Sequence, residues 1–416
     1  MKKYRRIFFL MISFLVLFST SSKILADDSF SILLEKANRG VVEAQYELGY
    51  AYEEGIGVSI DLNKAAYWYE KASEQGNDKA QFNIARMYRS GNGVDKDIQL
   101  SIYWYKKAAE QNHPWAQASL GLIYKDGKEV TKNCELALSW LKISSENGFS
   151  YAQDILGTMY YKSECVEYDI DKAVGLLKKA AGQGLASAQY NLGQIFQKNN
   201  GKYRNLEKAV LLYENAAKQG HPKAEFSLAL IYATGNGKNA NQKMAFDLFE
   251  SAALKNHEKA QLMLGLIYLK GYGAELDYEK AFYWLKKAAE LDNAQAQYEI
   301  SVLYSEGKGI HKDNNQAFRW CLRSAENGYA PAQYAIGHMY STGNGENINY
   351  EKSIFWLDKA ASQGMIDAQF ILGIIFHLGK GVQPDNDKAI YWLEMAEKNG
   401  HPDAKEIIIS IKDEIR

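Results

Sequence analysis

Residues 44–79 read AQYELGYAYEEGIGVSIDLNKAAYWYEKASEQGNDK, and the pattern of this stretch governs the rest of the chain. Its first alanine returns every 36 residues without insertion or deletion, at Ala44, Ala80, Ala116, Ala152, Ala188, Ala224, Ala260, Ala296, Ala332, Ala368 and Ala404. We number ten repeats from these alanines and give each position as its distance from the alanine. Self-similarity at this period indicates a stack of one repeated supersecondary unit.

Two helices are predicted in each repeat. Positions 0, +4, +5 and +8 lie on one face of a helix, and position +5 is always small while +8 is always aromatic. This helix A ends at glycines near +11 and +13, and an Asp or Asn at +17 caps the following helix B. Position +32 is Gly, Asn or Asp, the residues that best adopt the left-handed end of a helix.

The predicted fold class is all-α. One helix pair cannot bury both of its apolar stripes, so neighbouring pairs must stack into a continuous core. We therefore predict a right-handed α/α superhelix, an α-solenoid of ten 36-residue repeats over residues 44–403. Residues 27–43 are predicted as an N-terminal capping helix equivalent to half a repeat, and residues 404–416 as a C-terminal capping helix.

Residues 1–26 have the pattern of a signal peptide. Five basic residues and no acid accompany an apolar run at residues 7–18, which is too short for a bilayer span of about 20 residues. We predict cleavage after Ala26; the alternative is an uncleaved N-terminal anchor. Either form places the body outside the cytoplasm, in the periplasm, at the cell surface or in the medium.

Charge excludes one class of partner. The whole chain has 49 basic and 50 acidic residues, and without the basic first 26 residues the body carries a net charge of −6. A nucleic-acid footprint needs a clustered cationic surface, which this balance does not provide. The body contains no second apolar run long enough to span a membrane, so we expect no stable membrane span after processing. We also expect the protein to be a monomer.

The repeat resembles a known family. Its string is Ala-Gln-x-x-Leu-Gly-x-x-Tyr, a Gly-x-Gly turn, Asp-x-x-Lys-Ala, Trp, and Lys-Ala-Ala-x-x-Gly. This string resembles the Sel-one-like repeat (SLR), a subclass of tetratricopeptide-like helical repeats, and the resemblance covers residues 44–404. It implies an adaptor that assembles protein complexes or mediates contact with a host cell. Repeats 4 to 6 depart most from the family's pattern, because Leu176, Leu212 and Leu248 replace the tryptophan at +24.

No residues are predicted to be catalytic, and no metal or cofactor is expected. Ser139 with Lys142 and Ser305 with Lys308 match the Ser-x-x-Lys spacing of β-lactamases, but no Lys-Thr-Gly or Ser-Asp-Asn accompanies them. We interpret both matches as chance. His338 and His377 could face one side of repeats 9 and 10, yet two histidines without a further ligand are a weak metal site. The alternative function is an envelope enzyme of the β-lactamase or peptidoglycan-modifying type.

Two cysteines are candidates for a disulfide. Cys134 lies near the start of helix B in repeat 3, and Cys165 replaces a turn glycine in repeat 4. Both loops should project from the same edge of neighbouring repeats, and export permits oxidation. A Cα separation well beyond 7 Å would exclude the bond. Cys321 occupies an apolar position of helix B and is predicted to be a buried free thiol.

The predicted binding surface is the face of helix A that packing leaves free. By analogy with related solenoids, helix A lines the concave side and exposes positions +2, +6 and +9. Position +2 is aromatic in seven repeats: Tyr46, Phe82, Tyr190, Phe226, Tyr298, Tyr334 and Phe370. These rings either form a binding ladder or wedge between adjacent repeats, and the sequence leaves both interpretations open.

Position +6 is more variable and carries the sharper hypothesis. Leu230, Leu266 and Val302 occupy it in repeats 6 to 8, with Leu269 beside them, and together they predict an apolar stripe. Repeats 2 and 3 instead offer the cations Arg86 and Arg89, together with Lys125. We predict that the protein is an exported scaffold that binds a protein or peptide in this groove.

Overall fold

The computed structural model describes residues 29–198, 201–235, 239–343 and 347–415, and every regular element in these ranges is a helix. The predicted signal peptide therefore lies outside the described residues. The chain divides into one compact unit that ends at Ile195 and another that begins at Phe196, a boundary inside α10. Helices α1 to α10 are 29–38, Val42–Glu54, Leu62–Glu74, Asp78–Ser90, Ile98–Glu110, Pro114–Asp126, Cys134–Glu146, Ser150–Lys162, Ile170–Gly182 and Ala186–Lys198. Helices α11 to α22 are Leu206–Lys218, Pro222–Thr234, Gln242–Leu254, Glu258–Lys270, Tyr278–Glu290, Ala294–Glu306, Asn314–Glu326, Ala330–Thr342, Tyr350–Ser362, Ile366–Leu378, Asn386–Lys398 and Ala404–Ile415.

Consecutive helices pack on one another within each unit. In the first unit this holds from α2 through α9, and in the second from α11 through α22. Helices with even numbers from α2 to α20 are the A helices of repeats 1 to 10, and the odd-numbered helices that follow them are the B helices. Buried clusters join helix B of one repeat to helix A of the next, as Ala108 of α5 and Leu120 of α6 illustrate. The all-α solenoid prediction is confirmed.

The ends of the helices follow the predicted chemistry. The Asp or Asn at +17 accepts a backbone N–H of helix B in all ten repeats, as Asp61 does from Lys64 at 3.0 Å. This hydrogen bond from the Lys64 backbone lowers the pKa of the Asp61 carboxyl. At +32, Asn112 and Asp292 take positive φ angles of 66° and 63° beside the glycines of other repeats. Both sets of capping residues are confirmed.

Position +5 is small because helix B crosses helix A at that point. A Cβ built on Gly265 would lie 2.6 Å from Cγ of Leu285, and one on Gly373 would lie 2.5 Å from Cγ of Leu393. Real Cβ atoms essentially never make such close contacts, so the approach of the two helices in repeats 7 and 10 requires glycine. In repeat 8 the pair is different, because Ser301 occupies +5 and the smaller Cys321 faces it at +25.

A ladder of buried glutamines connects each repeat to its neighbours. At +1, the amide of Gln81 donates to the carbonyl of Ser73 at 3.1 Å in the preceding helix B. Its oxygen accepts from Gln111 at 2.8 Å at the end of its own repeat. Equivalent bonds to the preceding helix B form in nine repeats, from Gln45, Gln81, Gln117, Gln153, Gln189, Gln261, Gln297, Gln333 and Gln369. These side chains satisfy buried carbonyls at the junctions between repeats.

Repeat 6 replaces this glutamine with a buried carboxylate. Glu225 accepts from the hydroxyl of Ser251 at 3.0 Å and from the ammonium group of Lys255. Its side chain is 5% exposed, so an ion pair here takes the place of an amide pair. A buried charge of this kind is stable only while its partner remains, and Lys255 supplies that partner.

Two glutamines of the ladder, Gln117 in repeat 3 and Gln261 in repeat 7, have an amide oxygen without a hydrogen-bond partner in the described ranges. Gln261 is buried, and its amide oxygen has no hydrogen-bond partner among the described residues because Leu291 occupies the donor position. We expect Leu291→Gln to stabilise the protein by about 1 kcal/mol, since it supplies a donor to a buried acceptor. Urea unfolding measured by circular dichroism checks this. The matched control Leu254→Gln changes an exposed leucine elsewhere and should shift stability by less; an equal effect of both variants would contradict the assignment.

Candidate functional site

The predicted apolar stripe lies on α12, α14 and α16 of the second unit. Leu230 is 36% exposed, while Leu266 and Val302 are half-buried. Leu269 differs from these three, because it packs against the buried clusters formed by α13 with α14 and by α15 with α16. Leu269 therefore contributes to packing between repeats, and the free part of the stripe consists of Leu230, Leu266 and Val302. We call these three residues the helix-A stripe.

Leu266 lines an apolar cleft. The cleft has a volume of about 240 Å³ and lies between α12, α13 and α14. Phe246 and Met263 form part of its wall, and Tyr272, which is 72% exposed, stands at its edge. Ala233 on α12 also lines it, and Leu230 precedes Ala233 by one helical turn on the same side of α12. The helix-A stripe is thus a partly exposed apolar surface with a recess beside it.

The seven aromatic residues at +2 are all half-buried, and four of them contact a ring that immediately precedes helix A of the next repeat. Phe82 stacks on His113 with ring centroids 4.8 Å apart, and Phe370 stacks on His401 at 3.9 Å. Phe226 stacks on His257 in the same way, and Tyr298 contacts Tyr329 in a tilted arrangement with ring centroids 5.5 Å apart. For these four rings the geometry favours the second of the two interpretations, in which they wedge between neighbouring repeats.

The partners of these four rings are the residues that stand three positions before the alanine of the next repeat. His113, His221 and His257 precede helix A and accept the backbone N–H of the alanine three residues later through Nδ1, at 3.2, 3.3 and 3.2 Å. Burial lowers the pKa of His113 and that of His257, so both imidazoles remain acceptors at neutral pH. The available signal was the fixed spacing from the alanine, which marks an N-cap position.

The cations predicted on the first unit are engaged in ion pairs between repeats. Arg86 pairs with Glu53 of the preceding repeat, and Nε of Arg89 lies 2.9 Å from a carboxylate oxygen of Glu129. Lys125 contacts Glu164 at 3.5 Å and Asp126 at 2.9 Å. This part of the helix-A face is therefore a mixed, internally neutralised surface. We place the candidate binding site on the second unit instead.

Cys134 and Cys165 are joined by a disulfide with a Cα separation of 5.1 Å. The same contact recurs without cysteine elsewhere: a Cβ on Gly93 would lie 2.2 Å from the carbonyl oxygen of Leu62, which is 31 residues earlier. Gly309 approaches Tyr278 in the same manner. The turn at +13 thus touches the first residue of the preceding helix B in several repeats, and repeats 3 and 4 place cysteine on both sides.

The serine, lysine and cysteine residues considered as reactive groups do not form a catalytic arrangement in the described ranges. Ser139 is an exposed residue of α7, and the hydroxyl of Ser305 donates to the carbonyl of Val302 at 2.8 Å. The pKa of Lys308 is raised by its hydrogen bond to Glu306, the opposite of what a general base requires. Cys321 is buried, and burial raises the pKa of its thiol to about 12, so it is unreactive.

The two histidines singled out by the sequence have separate surroundings. His338 lies beside Tyr334, while His377 contacts Asn386 at 3.0 Å and Glu414 at 3.6 Å. Within the ranges that the structure describes, no three His, Cys, Asp or Glu side chains come together to hold a metal ion. Across the same ranges, no helix combines the length and hydropathy needed to cross a bilayer.

Comparison with known proteins identifies the repeat. The Sel1 repeat pattern matches ten consecutive segments of the chain: 42–77, 78–113, 116–149, 150–185, 186–221, 222–257, 258–293, 294–329, 330–365 and 366–401. No curated protein matches the chain.

Two solved structures resemble it over most of their length. A protective antigen from uropathogenic Escherichia coli strains, which displays an SLR fold, is 29% identical over 92% of this chain and 90% of its own, with a TM-score of 0.58. A Sel1 repeat protein from Oxalobacter formigenes is 32% identical over 74% of this chain and 89% of its own, with a TM-score of 0.54. Ten matched repeats leave one conclusion: the chain belongs to the Sel1 repeat family, whose α-solenoids commonly act as scaffolds for protein interaction.

Proposed function

We propose that this protein is an exported scaffold that binds a protein or peptide partner on the helix-A stripe of its second unit. The observation that carries the proposal is the exposed Leu230 next to the cleft that Leu266 lines. An apolar side chain of the partner would enter the cleft, and polar groups at its edge, such as Lys270, would set orientation. No covalent chemistry is part of this function.

Two observations support the location that we propose for the protein. The basic and apolar pattern of residues 1–26 is that of a signal peptide, and the similar Escherichia coli protein is a protective antigen. We therefore propose that the body lies in the periplasm or at the cell surface. At the surface, its role would be contact with a host cell. Fractionation into periplasm, membrane surface and medium distinguishes these locations.

We expect Leu230→Glu and Leu266→Glu each to weaken partner binding by tenfold or more, because each buries a charge where the partner needs an apolar contact. Affinity capture from the envelope fraction, followed by titration of the captured protein, measures this. Leu211→Glu is the matched control, since Leu211 is exposed on helix B of the same unit. Binding that survives both stripe variants, or that falls equally in the control, would exclude this surface.

A further inference from the structure

A departure from the repeat pattern coincides with a pocket in the first unit. Its volume is about 660 Å³, and it lies between α7, α8 and α9. Gly175 and Leu176 line it at positions +23 and +24, where most other repeats place larger side chains. A Cβ built on Gly175 meets no atom within 4 Å, so the space beside it is open. We call this cavity the repeat-4 pocket.

Other repeats show what normally fills this place. Seven repeats have tryptophan at +24: Trp68, Trp104, Trp140, Trp284, Trp320, Trp356 and Trp392. Trp140 packs against a cluster built from the preceding helix B and its own helix A, and Trp320 and Trp392 do the same. Those are the elements that wall the repeat-4 pocket. Leu176 covers only part of the surface that a tryptophan covers.

The aromatic residue at +23 is missing from the same place, although its lysine partner is present. In four repeats a lysine at +27 lies over the +23 ring, as Lys107 does over Tyr103 at 5.8 Å and Lys359 over Phe355 at 4.4 Å. The other two pairs are Lys71 with Tyr67 and Lys287 with Tyr283. Repeat 4 keeps this lysine as Lys179, which lines the pocket without a ring beneath it.

The charge around the pocket favours an acidic guest. Lys142, Lys172 and Lys179 line it, with Glu146 as the single carboxylate in the lining. Lys172 pairs with Asp169 at 3.0 Å and lies over Tyr160, so it is already engaged. Lys142 and Lys179 have no ion-pair partner in the described part of the chain. Two ammonium groups without an ion-pair partner in the described ranges thus line the repeat-4 pocket.

We propose that the repeat-4 pocket binds an aromatic side chain of a partner protein, presented next to acidic residues. The ring takes the place under Lys179 that the +23 ring fills in four other repeats, beside the space that tryptophan fills in seven, and a neighbouring carboxylate pairs with Lys142. The disulfide between Cys134 at the start of α7 and Cys165 after α8 holds two walls of the pocket together. This site is separate from the helix-A stripe and does not depend on it.

A labelled peptide tests the proposal. The probe is fluorescein-Gly-Asp-Tyr-Trp-Asp-Gly-amide, titrated with the full chain and followed by fluorescence anisotropy. We expect saturable binding that weakens at least tenfold when Gly175→Tyr and Leu176→Trp together restore the aromatic pair and fill the pocket. The matched control changes the same positions of repeat 5, Leu211→Tyr with Leu212→Trp, and should bind the probe as the unmodified chain does.

Two further measurements keep the test decisive if the filled variant folds poorly. Lys179→Gln alters one exposed side chain and should weaken binding severalfold, and replacing Tyr-Trp by Ala-Ala in the probe should abolish it. Leu230→Glu should leave the affinity unchanged, which separates this site from the helix-A stripe. The proposal is overturned if the unmodified chain does not bind the probe. It is also overturned if the filled variant and the Lys179→Gln variant both bind the probe as tightly as the unmodified chain does.

Discussion

Replacing Cys134 with serine is expected to destabilise repeats 3 and 4 by about 3.5 kcal/mol. The disulfide closes a loop with a sequence separation of 31 residues, and the chain entropy that such a loop removes from the unfolded state corresponds to that free energy. Guanidinium unfolding of the unmodified and variant chains, followed by circular dichroism, measures the difference. Because repeat proteins unfold locally, a separate early transition in the variant is the expected form of the loss.

The position of the bond supplies a control. Cys165 has φ of 60°, in the left-handed region that glycine adopts freely, and other repeats carry glycine at this position. Cys165→Gly therefore removes the disulfide and relieves the backbone, whereas Cys165→Ser only removes the disulfide. We expect the glycine variant to be about 1 kcal/mol more stable than the serine variant. Unfolding curves that do not change in Cys134→Ser, or upon addition of dithiothreitol, would contradict a structural role for this bond.

Enlarging position +5 is expected to produce a second large effect. In Gly265→Ser the new Cβ would lie 2.6 Å from Cγ of Leu285, so the two helices of repeat 7 must separate or Leu285 must leave its rotamer. Overpacking of this kind destabilises a protein by about 1–3 kcal/mol. Leu285→Cys alone leaves a void and should lower stability by about 2 kcal/mol or more. Thermal and urea unfolding measure both losses.

The double variant is the sharper test, because repeat 8 already uses that combination as Ser301 and Cys321. Gly265→Ser with Leu285→Cys should lose at least about 1 kcal/mol less than the sum of the single losses. Gly182→Ala is the matched control, since a Cβ at that helical glycine meets nothing within 4 Å and should not destabilise the protein. Additive losses in the double variant would show that the two positions do not share one packing space.

The fold was predictable because its determinants are local and recur. The N-cap at +17 and the left-handed residue at +32 depend on single side chains such as Asp61 and Asn112, whose chemistry is visible in the sequence. The constant spacing of 36 residues between the recurring alanines predicts the number of repeats from the sequence alone. Sequential packing of the helices then follows, since each pair has an apolar stripe that only a neighbour can cover.

The details of the candidate site were harder to predict because they depend on contacts between repeats. The sequence could not decide whether Phe82 faces solvent or stacks on His113, since that depends on where the next repeat places its first residue. In the sequence Leu269 looked equivalent to Leu266. In the structure Leu269 packs against a buried cluster between repeats, whereas Leu266 lines a cleft. The ion pair of Arg86 with Glu53 also joins two repeats and cancels a charge that the sequence presented as free.

The repeat-4 pocket shows the same limit in another form. The replacement of tryptophan by Leu176 is visible in the sequence, but its consequence depends on whether the neighbours close the gap. They do not, because the side of Gly175 that would carry a side chain is empty and residues of α7, α8 and α9 line an open recess there. A departure from a repeat pattern thus predicts that the local structure differs from that of the other repeats. Whether the difference is a pocket or a repacked interface depends on the contacts around it.

Photo-cross-linking in intact cells tests the scaffold function most directly. Benzoylphenylalanine placed at position 230 should form an adduct with one protein species, identified by mass spectrometry, and Leu266→Glu in the same chain should abolish that adduct. The same group at position 211, which is exposed on helix B, should not capture that species. If no adduct forms at position 230, or if the same protein is captured from positions 230 and 211, the result would contradict a partner site on the helix-A stripe.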